Sequence, residues 1–406
     1  MPEPNASEAG TEPAGGDQPL RCVHYLDAVR LEEGGVVRAV LDLTAAVAAS
    51  GVSVTLLTTD STDIPPRWLE GAPGTPRVAT IDGAMTPWKT IAGADRSVVA
   101  QAIDSADVVH LHTPWDRYNL AAATAARAAG TPYVVSIHGM LDDWPMEQRG
   151  VKKRAYLAVA GRRMLEGAAR LHFTAEAERE QAMKWAPRGG ASVLPLVMDL
   201  SPYRELPGPD PARHAFPALG AAGAKLLFLS RVHPKKGIEK LIEAVSLLSR
   251  SAPVQCLVAG PGEADYVDQL RRHAGALGVG QCVHFLGMVR GETKLSLYQA
   301  CDLFVLPTSQ ENFGIVLTEA MACGAPVVTT RGVDIWKELA GHGAEIVDAD
   351  ATGIAAAAER LLADREALAR RSRQSRDGVF DWLDPDKVTR QYVDLYREVA
   401  NESRPR

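Results

Sequence analysis

Two carboxylates eight positions apart, Glu311 and Glu319, lie in the part of the sequence best suited to chemistry. Residues 315–317 and 320–323 are apolar or small, which predicts a helix buried on nearly every face. A carboxylate in such a helix needs a partner, because an unpaired buried charge is very costly. Residues 312–314 precede the helix, so its unpaired N–H groups suit an anion. The segment predicts a ligand that is anionic at its centre and rich in hydroxyl groups at both ends.

The two acids also admit a structural explanation. Glu319 could pair with a neighbouring strand, and Glu311 could be an ordinary loop acid. The flanking sequence favours a binding site, because residues 301–307 predict a buried parallel strand and residues 324–330 predict a helix end followed by another strand. This order places both acids at the carboxyl edge of a parallel sheet, where open α/β sheets bind ligands. A nucleotide sugar fits such a site.

A cluster of positive side chains follows the first predicted strand of the second half, residues 224–230. Arg231 and Lys236 leave the end of that strand together, with a histidine and a second lysine between them. A guanidinium offers a planar fork and an ammonium offers a compact charge, so the pair suits a doubly charged phosphate. Basic runs are more often solvated turns. The binding interpretation rests on position, because this strand end and the Glu311 loop share one sheet edge.

The first half carries a glycine pair and three histidines at predicted strand ends. Gly34 and Gly35 precede the first long helix and allow a ligand to approach the backbone closely, with a flexible turn as the alternative. The pair does not form the G-x-G-x-x-G of a dinucleotide site, which argues against a dehydrogenase. His110 and His112 fit satisfied structural residues. His138 is the functional candidate, because a glycine follows it and opens a loop.

Strand and helix patterns alternate along the chain and predict an α/β protein with doubly wound parallel sheets. Strands are predicted at 21–26, 52–58, 106–111, 132–137, 169–174, 191–196, 224–230, 253–259, 281–286, 301–306, 325–330 and 343–347. Helices are predicted at 36–49, 237–250, 263–277, 292–300, 314–323 and 380–399. Five prolines in residues 201–217 indicate a semi-rigid linker. We therefore expect one domain over 20–203 and a second over 204–384.

Composition and charge fit a globular protein of two domains. The chain has 406 residues, is 46% hydrophobic and 23% charged, and its net charge of -6 gives no reason to expect nucleic acid as a partner. Five cysteines without a C-x-x-C pair favour reduced, buried thiols, and the absence of H-x-x-H and H-E-x-x-H predicts no metal site. Residues 1–19 are expected to be a disordered tail rather than a signal peptide, and no membrane span is predicted. A cytoplasmic enzyme is the expectation.

One segment, residues 148–170, is rich in Lys and Arg although the chain as a whole is acidic. Its pattern resembles a basic amphipathic helix, which predicts contact with anionic lipid or with an anionic acceptor. A solvated helix face is the alternative. This segment is the reason to consider a peripheral location at the inner face of the membrane.

Taken together, these residues resemble the retaining glycosyltransferases of family 4, which have the GT-B fold. The resemblance covers about residues 21–400 and rests on a combined set of basic, acidic and glycine-containing motifs, which are Arg231, Lys236, Glu311-Asn312-Phe313-Gly314, Glu319, Gly34-Gly35 and His138-Gly139. Asn312 stands where that family often has Gly or Ser, but its backbone N–H remains. The resemblance implies two Rossmann-like domains that face a central cleft, with a C-terminal helix at about 385–400 completing the first domain.

The resemblance also implies how the donor is held. Arg231 and Lys236 would neutralise the donor diphosphate, and Glu319 would accept hydrogen bonds from the ribose hydroxyls. Breaking the sugar–phosphate bond builds negative charge on the departing diphosphate, so fixed cations and helix N–H groups are the main catalytic resource. The family is thought to react on one face of the sugar, with the leaving phosphate helping to deprotonate the acceptor.

The remaining site residues are expected around the transferred sugar. Glu311 and the backbone of 312–314 would hold the sugar, His138 would approach it, and Gly34-Gly35 would line the phosphate or acceptor side. Glu311 is not expected to act as a covalent nucleophile, in contrast to the paired carboxylates of glycosidases. The family needs neither a divalent metal nor another cofactor, since the nucleotide-diphosphate sugar is a co-substrate.

The substrates themselves stay open at this stage. Residues 287–290 are the expected contact for the donor base, and the acceptor could be a saccharide, a glycolipid or a small hydroxyl compound, in cell-surface polysaccharide or glycolipid synthesis. Two other enzyme classes compete: an epimerase of GT-B type would convert the donor alone, and a phosphorylase would need free phosphate. A non-catalytic nucleotide-sugar-binding protein is the third alternative, and the presence of Arg231, Lys236 and Glu319 argues against it.

Overall fold

The computed structural model describes residues 19–83, 91, 93, 95–148, 150–186 and 190–402. Its strands are short runs that are mostly buried on both faces, as parallel strands covered by helices require. The first sheet contains β1 (Arg21–Tyr25), β2 (Ser53–Thr58), β3 (Arg77–Thr80), β4 (Val108–His112), β5 (Tyr133–Ser136), β6 (Arg170–Phe173) and β7 (Ala191–Val193). The second sheet contains β8 (Ala224–Leu229), β9 (Val254–Ala259), β10 (Val283–Gly287), β11 (Leu303–Leu306), β12 (Val327–Thr330) and β13 (Glu345–Val347).

Helices connect consecutive strands. Before β8 they are α1 (Gly35–Ala49), α2 (Pro66–Leu69), α3 (Asp95–Asp104), α4 (Arg117–Ala129), α5 (Asp143–Glu147), α6 (Gly150–Tyr156), α7 (Arg162–Glu166), α8 (Glu176–Ala182) and α9 (Asp210–Ala215). After β8 they are α10 (Ile238–Leu248), α11 (Ala264–Ala276), α12 (Gly291–Ala300), α13 (Ile315–Ala322), α14 (Trp336–Gly341), α15 (Ala351–Ala363), α16 (Arg365–Trp382) and α17 (Pro385–Glu402). A π turn joins α6 to α7, and 3₁₀ turns occur at Leu31–Glu33, Ser201–Tyr203, Pro217–Gly220 and Pro234–Lys236.

Both sheets are parallel and share one strand order. The first runs β3-β2-β1-β4-β5-β6-β7 and the second runs β10-β9-β8-β11-β12-β13. In each sheet the chain reverses its direction of winding beside the first strand, between β1 and β4 and between β8 and β11. Ligands of such sheets bind at the carboxyl ends of the strands next to this point. The predicted pair of Rossmann-like sheets is therefore confirmed, and each sheet contributes one such edge.

The last helix returns to the first domain. Tyr392 and Tyr396 of α17 are buried in the core formed by β1, β2, β4 and α1. At the end of the helix, Arg170 of β6 forms ion pairs with Glu398 at 2.5 Å and with Glu402 at 2.7 Å. Aromatic burial and charge pairing thus hold the chain's C-terminal helix on the domain that contains its N-terminal strands.

Two sequence expectations are corrected by the fold. Residues 201–217 are not a semi-rigid linker, because their prolines open short helical turns, and Tyr203 and Ala212 are buried in the core of the second domain. The predicted helix at 380–399 is two helices, since Pro385 cannot continue α16 and instead begins α17. Strand β3 was not predicted; its four residues are only half buried, so their pattern is weak.

Three smaller expectations concern cysteines, membrane and tail. All five cysteines are unpaired thiols; Cys22, Cys256 and Cys323 are buried, as predicted, whereas Cys282 and Cys301 are half buried. Within the described part of the chain, no helix combines the length and apolarity that crossing a membrane requires. The tail predicted at residues 1–19 lies outside the described residues except for Pro19.

Candidate active site

A cleft of about 1070 Å³ lies where the carboxyl edges of the two sheets face each other. Residues of both domains line it, and they include all but one of the residues predicted for the site, namely Gly34, Gly35, His138, Arg231, Lys236, Glu311, Asn312, Phe313 and Gly314. The exception is Glu319. The fold thus brings together motifs that are almost three hundred positions apart in the sequence.

The turn after β8 places Lys236 inside the cleft wall. Gly237 ends this turn with φ of +70°, and a Cβ atom there would lie 2.2 Å from the carbonyl oxygen of Pro307, so only glycine fits. The N–H of Ser309 donates to the carbonyl of Lys235 at 2.8 Å, which ties the basic turn to the loop after β11. The ammonium of Lys236 forms an ion pair with Glu311 of that loop. The cation and the acid predicted separately are direct partners.

Burial sets the charge balance of this ion pair. The side chain of Lys236 is 5% exposed and that of Glu311 is 20% exposed. Burial, followed by repulsion from Lys235 and Arg231, lowers the pKa of Lys236 to about 7. The Glu311 carboxylate opposes this lowering because it favours the charged ammonium. A dianionic ligand would favour the charged form further, so the lysine is suited to hold a phosphate.

The glycine loop of the first domain faces the second domain at this point. Gly34 has φ of +117°, and a Cβ atom there would lie 3.9 Å from Nη2 of Arg231. A Cβ atom on Gly35 would lie 3.5 Å from Cδ1 of Ile315, the first residue of α13. The space beside Arg231 is therefore bounded by bare backbone on the opposite side, which suits a ligand that must approach the chain closely.

The loop before α13 presents its backbone to the cleft. Its N–H at Glu311 donates to the carbonyl of Gly332 at 2.7 Å, and the N–H of Asp334 donates back to the Glu311 carbonyl at 3.0 Å. The side chain of Phe313 is buried, at 3% exposure, and its ring stacks with that of Trp382, so the residue is expected to offer the cleft its backbone. Gly314 takes the left-handed conformation before the free N–H groups of α13. The predicted helix start is present at the cleft, and its binding of an anion stays a prediction.

Glu319 is placed differently from the expectation. It is 8% exposed and lies behind the cleft wall, where its carboxylate accepts from Tyr203 Oη at 3.0 Å and from Tyr298 Oη at 3.1 Å. Nζ of Lys294 spans both carboxylate oxygens, at 2.7 and 2.6 Å. Because a carboxylate offers about four acceptor positions, a ribose hydroxyl can bind Glu319 only after Lys294 moves. Its ribose contact stays a prediction.

His138 and Gly139 lie where the two domains touch. His138 takes a left-handed backbone with φ of +53°, and Gly139 follows at +70°. The N–H of Gly139 donates to Oε1 of buried Glu178 at 2.6 Å, while Oγ1 of Thr174 lies 3.2 Å from Oδ1 of Asn312 in the second domain. A Cβ atom on Gly139 would lie 2.7 Å from Cβ of Asn312. The loop after β5 therefore fits against the loop before α13 with no room for a side chain at Gly139.

A pair of buried acids joins the domains beside this loop. Asp142 of the first domain contacts Asp334 of the second, and Gln310 donates to Asp142 Oδ2 at 2.9 Å. Asp334 in turn accepts from Asn312 at 3.1 Å and from Gln181 at 2.9 Å. Burial, together with the neighbouring negative charges, raises the pKa of both acids well above the ordinary value. The two amide hydrogen bonds that Asp334 accepts favour its charged form, so we expect the proton of the pair on Asp142.

A proton retained by Asp142 in the folded protein makes the stability of the protein depend on pH. Above about pH 4 the unfolded chain releases a proton that folded Asp142 retains, so the free energy of unfolding falls as pH rises towards the folded pKa. In Asp142→Asn an amide N–H replaces the acid proton. We expect the free energy of unfolding of the variant, relative to that of wild type, to increase by about 1 kcal/mol or more between pH 5 and pH 8. Denaturant unfolding measures both values.

Asp143→Asn is the matched control for that comparison, because Asp143 is the next residue, is half exposed and pairs with Lys184 on the surface at 2.7 Å. Its unfolding free energy should follow the wild-type pH dependence. An Asp142→Asn variant with the wild-type slope would show that the proton is not held at this contact.

Sequence analysis did not identify some of the residues that line the cleft. Trp115 and Trp144 line the first-domain side, with Nζ of Lys153 5.4 Å from the Trp115 ring and Nζ of Lys235 5.9 Å from the Trp144 ring. Trp115 closely follows the end of β4, so the same sheet-edge argument that selected His138 would have found it. Nothing in the local sequence pairs Lys294 with its acid, because that ion pair joins two different helices.

The basic segment at 148–170 is helical only in part. It is continuous from Gly150 to Glu166 through the π turn, and β6 begins at Arg170. Val151 and Val159 are 83% and 85% exposed, so apolar side chains stand among the cations of this surface. Arg149 lies outside the described residues. The membrane contact predicted for this segment stays a prediction.

Family comparison agrees with the geometry of the cleft. The family model described as "Glycosyl transferases group 1" matches residues 215–378, and the "Glycosyl transferase 4-like domain" matches residues 34–196. The two matches fall on the second and the first domain. The chain belongs to the family 4 type of glycosyltransferases. Its two sheets and their strand order are those of the GT-B fold.

Individual relatives are similar over part of their length. The chain is 33% identical to an uncharacterized glycosyltransferase of Methanocaldococcus jannaschii over 42% of this chain and 44% of the relative. It is 32% identical to glycogen synthase of Mycobacterium tuberculosis over 49% of this chain and 50% of the relative. The chain thus spans about half the length of these curated relatives. Among solved structures, HepE of Anabaena in complex with UDP matches with a TM-score of 0.76 and 19% identity, covering 93% of this chain and all of that one.

Proposed function

We propose that this chain transfers a hexose-type sugar from a nucleotide-diphosphate sugar to a hydroxyl acceptor with retention of configuration. The observation that carries the proposal is the meeting of Arg231, Lys236, the Gly34 loop and the start of α13 around one space. These groups supply positive charge and free backbone N–H groups from both domains. A diphosphate with hydroxyl-bearing groups at both ends complements that arrangement.

The geometry supports a reaction through charge stabilisation. The bond between the anomeric carbon and the diphosphate oxygen breaks, and its electron pair leaves with the oxygen, where Arg231 and Lys236 neutralise it. The acceptor oxygen bonds to the anomeric carbon from the same face, and its proton passes to the leaving phosphate. Glu311 is engaged by Lys236 and so serves to hold charge and sugar hydroxyls rather than to attack the sugar. Closure of the two domains excludes water that would hydrolyse the donor.

Relatives support the choice of donor class. HepE was solved with UDP and with UDP-glucose, and glycogen synthase is named for polymerising a sugar. On the acceptor side, Trp115 and Trp144 offer flat apolar faces of the kind that pack against the C–H face of a pyranose. We therefore favour a saccharide or glycolipid acceptor, in cell-surface polysaccharide or glycolipid synthesis.

The test begins with donor binding by the full chain. Thermal unfolding is measured with UDP, ADP and GDP, with UDP-glucose, ADP-glucose and GDP-mannose, and with pyrophosphate alone. We expect one of the nucleoside diphosphates, and the sugar nucleotide with the same base, to raise the melting temperature by about 5 °C at saturating concentration. Release of the nucleoside diphosphate, followed by NMR of the anomeric signal of the product, then checks transfer and stereochemistry.

Other outcomes would contradict specific parts of the proposal. If no nucleotide changes the melting temperature and no nucleotide is released from any donor, the proposed donor-binding site is wrong. Conversion of the donor alone into another sugar nucleotide indicates an epimerase, and a requirement for free phosphate indicates a phosphorylase. A product with inverted configuration would contradict the proposed retention of configuration but not the proposed glycosyl transfer. Flotation with anionic vesicles tests the separate expectation of peripheral membrane contact through residues 148–170.

A further inference from the structure

Three histidines on adjacent elements of the first sheet form a row that ends at the cleft. Nδ1 of His24 on β1 lies 3.1 Å from Nε2 of His112 on β4, and Nδ1 of His112 lies 3.2 Å from Nε2 of His138 after β5. His24 and His112 are 0% and 1% exposed, whereas His138 lines the cleft. Strand pairing sets this row, because β1 and β4 are neighbours and β4 pairs with β5. A hydrogen-bonded chain of imidazoles thus runs from the core to the candidate site.

Each ring in this row carries one hydrogen. Burial lowers the pKa of His24 and of His138 to about 3 and that of His112 well below its ordinary value, so the imidazoles are neutral near pH 7. Every hydrogen bond between two neutral imidazoles needs one donor and one acceptor. The row therefore has two proton arrangements, with all hydrogens pointing towards His138 or all pointing away from it.

The buried end of the row decides between the two. Nε2 of His24 is buried and has no hydrogen-bond partner among the residues that the structure describes. If the hydrogens point away from His138, this nitrogen carries an orphaned N–H; if they point towards it, the nitrogen is bare. Buried N–H groups without an acceptor are the rarer defect in proteins. The second arrangement is therefore favoured, with Nδ1–H donors on His24 and His112 and an accepting Nε2 on His138.

We infer that His24 and His112 are positioning residues that hold His138 with its hydrogen on Nδ1, as a donor for a hydroxyl oxygen of the sugar in the cleft. The inference rests on the proposed function for the identity of that ligand, but its structural part does not. The backbone of His138 supports the inference, because it has φ of +53°. This left-handed conformation is unfavourable for any residue other than glycine, so it persists only where contacts with the surrounding structure stabilise it. The bond from His112 is one such restraint.

The same histidines raise the question of a metal ion. One ring nitrogen from each of His24, His110 and His112 lies within 4.8 Å of the others. However, Nδ1 of His110 is 2.7 Å from Tyr396 Oη and its Nε2 is 2.7 Å from Ser136 Oγ. A metal would have to break one of these bonds and one of the two bonds that His112 makes to His24 and His138. The hydrogen-bonded row uses the nitrogens as they lie.

The direct test is the tautomer of the ring. The full chain is labelled with nitrogen-15 in its histidine rings, and two-bond nitrogen–hydrogen correlations at pH 7.5 report which nitrogen bears hydrogen; His138→Gln and His112→Asn assign the signals. We expect His138 and His112 to carry hydrogen on Nδ1. Hydrogen on Nε2 of His138 would overturn the inference, as would stoichiometric zinc in the purified protein. Neither result depends on a substrate.

The kinetic test compares three variants of equally buried histidines. His112→Ala removes the donor to His138, whereas the amide of His112→Asn can replace Nδ1–H. His172→Ala is the control, because His172 is 1% exposed and bonds Ser136 and Tyr392 rather than His138. We expect kcat to fall about tenfold in His112→Ala and to recover to within about threefold in His112→Asn, with KM for the donor little changed. Rates are corrected for the folded fraction.

The two failures can be told apart. If wild type releases no nucleoside diphosphate from any of the sugar nucleotides tested, the proposed function fails while the tautomer result still decides the inference. If wild type is active and His112→Ala behaves like His172→Ala, or His112→Asn shows no rescue, the inference fails alone. A His112→Ala variant that does not fold leaves the decision to the tautomer measurement on wild type.

Discussion

Lys236→Ala is expected to reduce the rate of glycosyl transfer by a factor of about a hundred to a thousand. The substitution removes a buried cation aimed at the charge that develops on the leaving diphosphate. It also uncovers Glu311, whose carboxylate is paired with this lysine and would then face the diphosphate directly. Both effects act against the departing group, so kcat/KM for the donor, measured as release of nucleoside diphosphate, should fall more than loss of one surface charge would predict.

Two comparisons make this result specific. Lys240→Ala removes a half-buried lysine one turn further on, which does not line the cleft, and should transfer sugar at nearly the wild-type rate. The double variant Lys236→Ala with Glu311→Gln removes the uncovered carboxylate and should bind the donor more tightly than Lys236→Ala alone. Wild-type turnover in Lys236→Ala would show that the donor diphosphate lies elsewhere.

Gly139→Ala is expected to reduce transfer by about a hundredfold, because it separates the two domains at their contact beside the site. The new Cβ atom would lie 2.7 Å from Cβ of Asn312 and 2.9 Å from Oδ2 of Asp142. Contacts this short force the neighbours to move, and Asn312 belongs to the loop predicted to hold the donor sugar. A displacement of about 1 Å in that loop is enough for such a loss. Initial rates at saturating donor and acceptor measure it.

The control variant Gly130→Ala distinguishes the effect of the steric clash at Gly139 from the effect of a strained backbone. Gly130 has φ of +72°, nearly the same as Gly139, but a Cβ atom there meets nothing within 4 Å. Both variants should lose about 1–2 kcal/mol of unfolding free energy from the left-handed backbone, and only Gly139→Ala should lose the additional activity. Equal activity in the two variants would show that the domain contact does not position the site.

Local sequence was sufficient for much of this molecule. Short apolar runs located every predicted strand to within three residues at either end, because parallel strands buried on both faces have a simple pattern. The rule that parallel sheets bind ligands at their carboxyl edges placed Arg231 and Glu311 at one edge of the second sheet, and the resemblance to the GT-B family implied that His138 faces them across a cleft. The prolines of residues 201–217 misled, since proline also opens helical turns and the packing partners of the segment lie far along the chain.

The parts that sequence did not reveal are contacts between distant segments. Lys294 pairs with Glu319 across two helices, and Asp142 meets Asp334 across two domains. His24 becomes the end of the histidine row only because β1 and β4 are neighbours in the sheet. Apart from Glu319, each of these residues has an unremarkable sequence context. Such pairs depend on the register and orientation of packed elements, which periodicity does not encode.

The two lysine–acid pairs have a consequence for what the cleft accepts. Lys236 pairs with Glu311 and Lys294 pairs with Glu319, so these two cations of the site already have acid partners within the protein. A lone phosphate that binds Lys236 displaces the carboxylate of Glu311 and leaves that carboxylate without its partner. A sugar nucleotide brings phosphates for the lysines and hydroxyl groups for the acids that they release. Each ion pair therefore stands in for contacts expected with the donor, and a molecule that carries both phosphate and hydroxyl groups would replace every contact that it breaks.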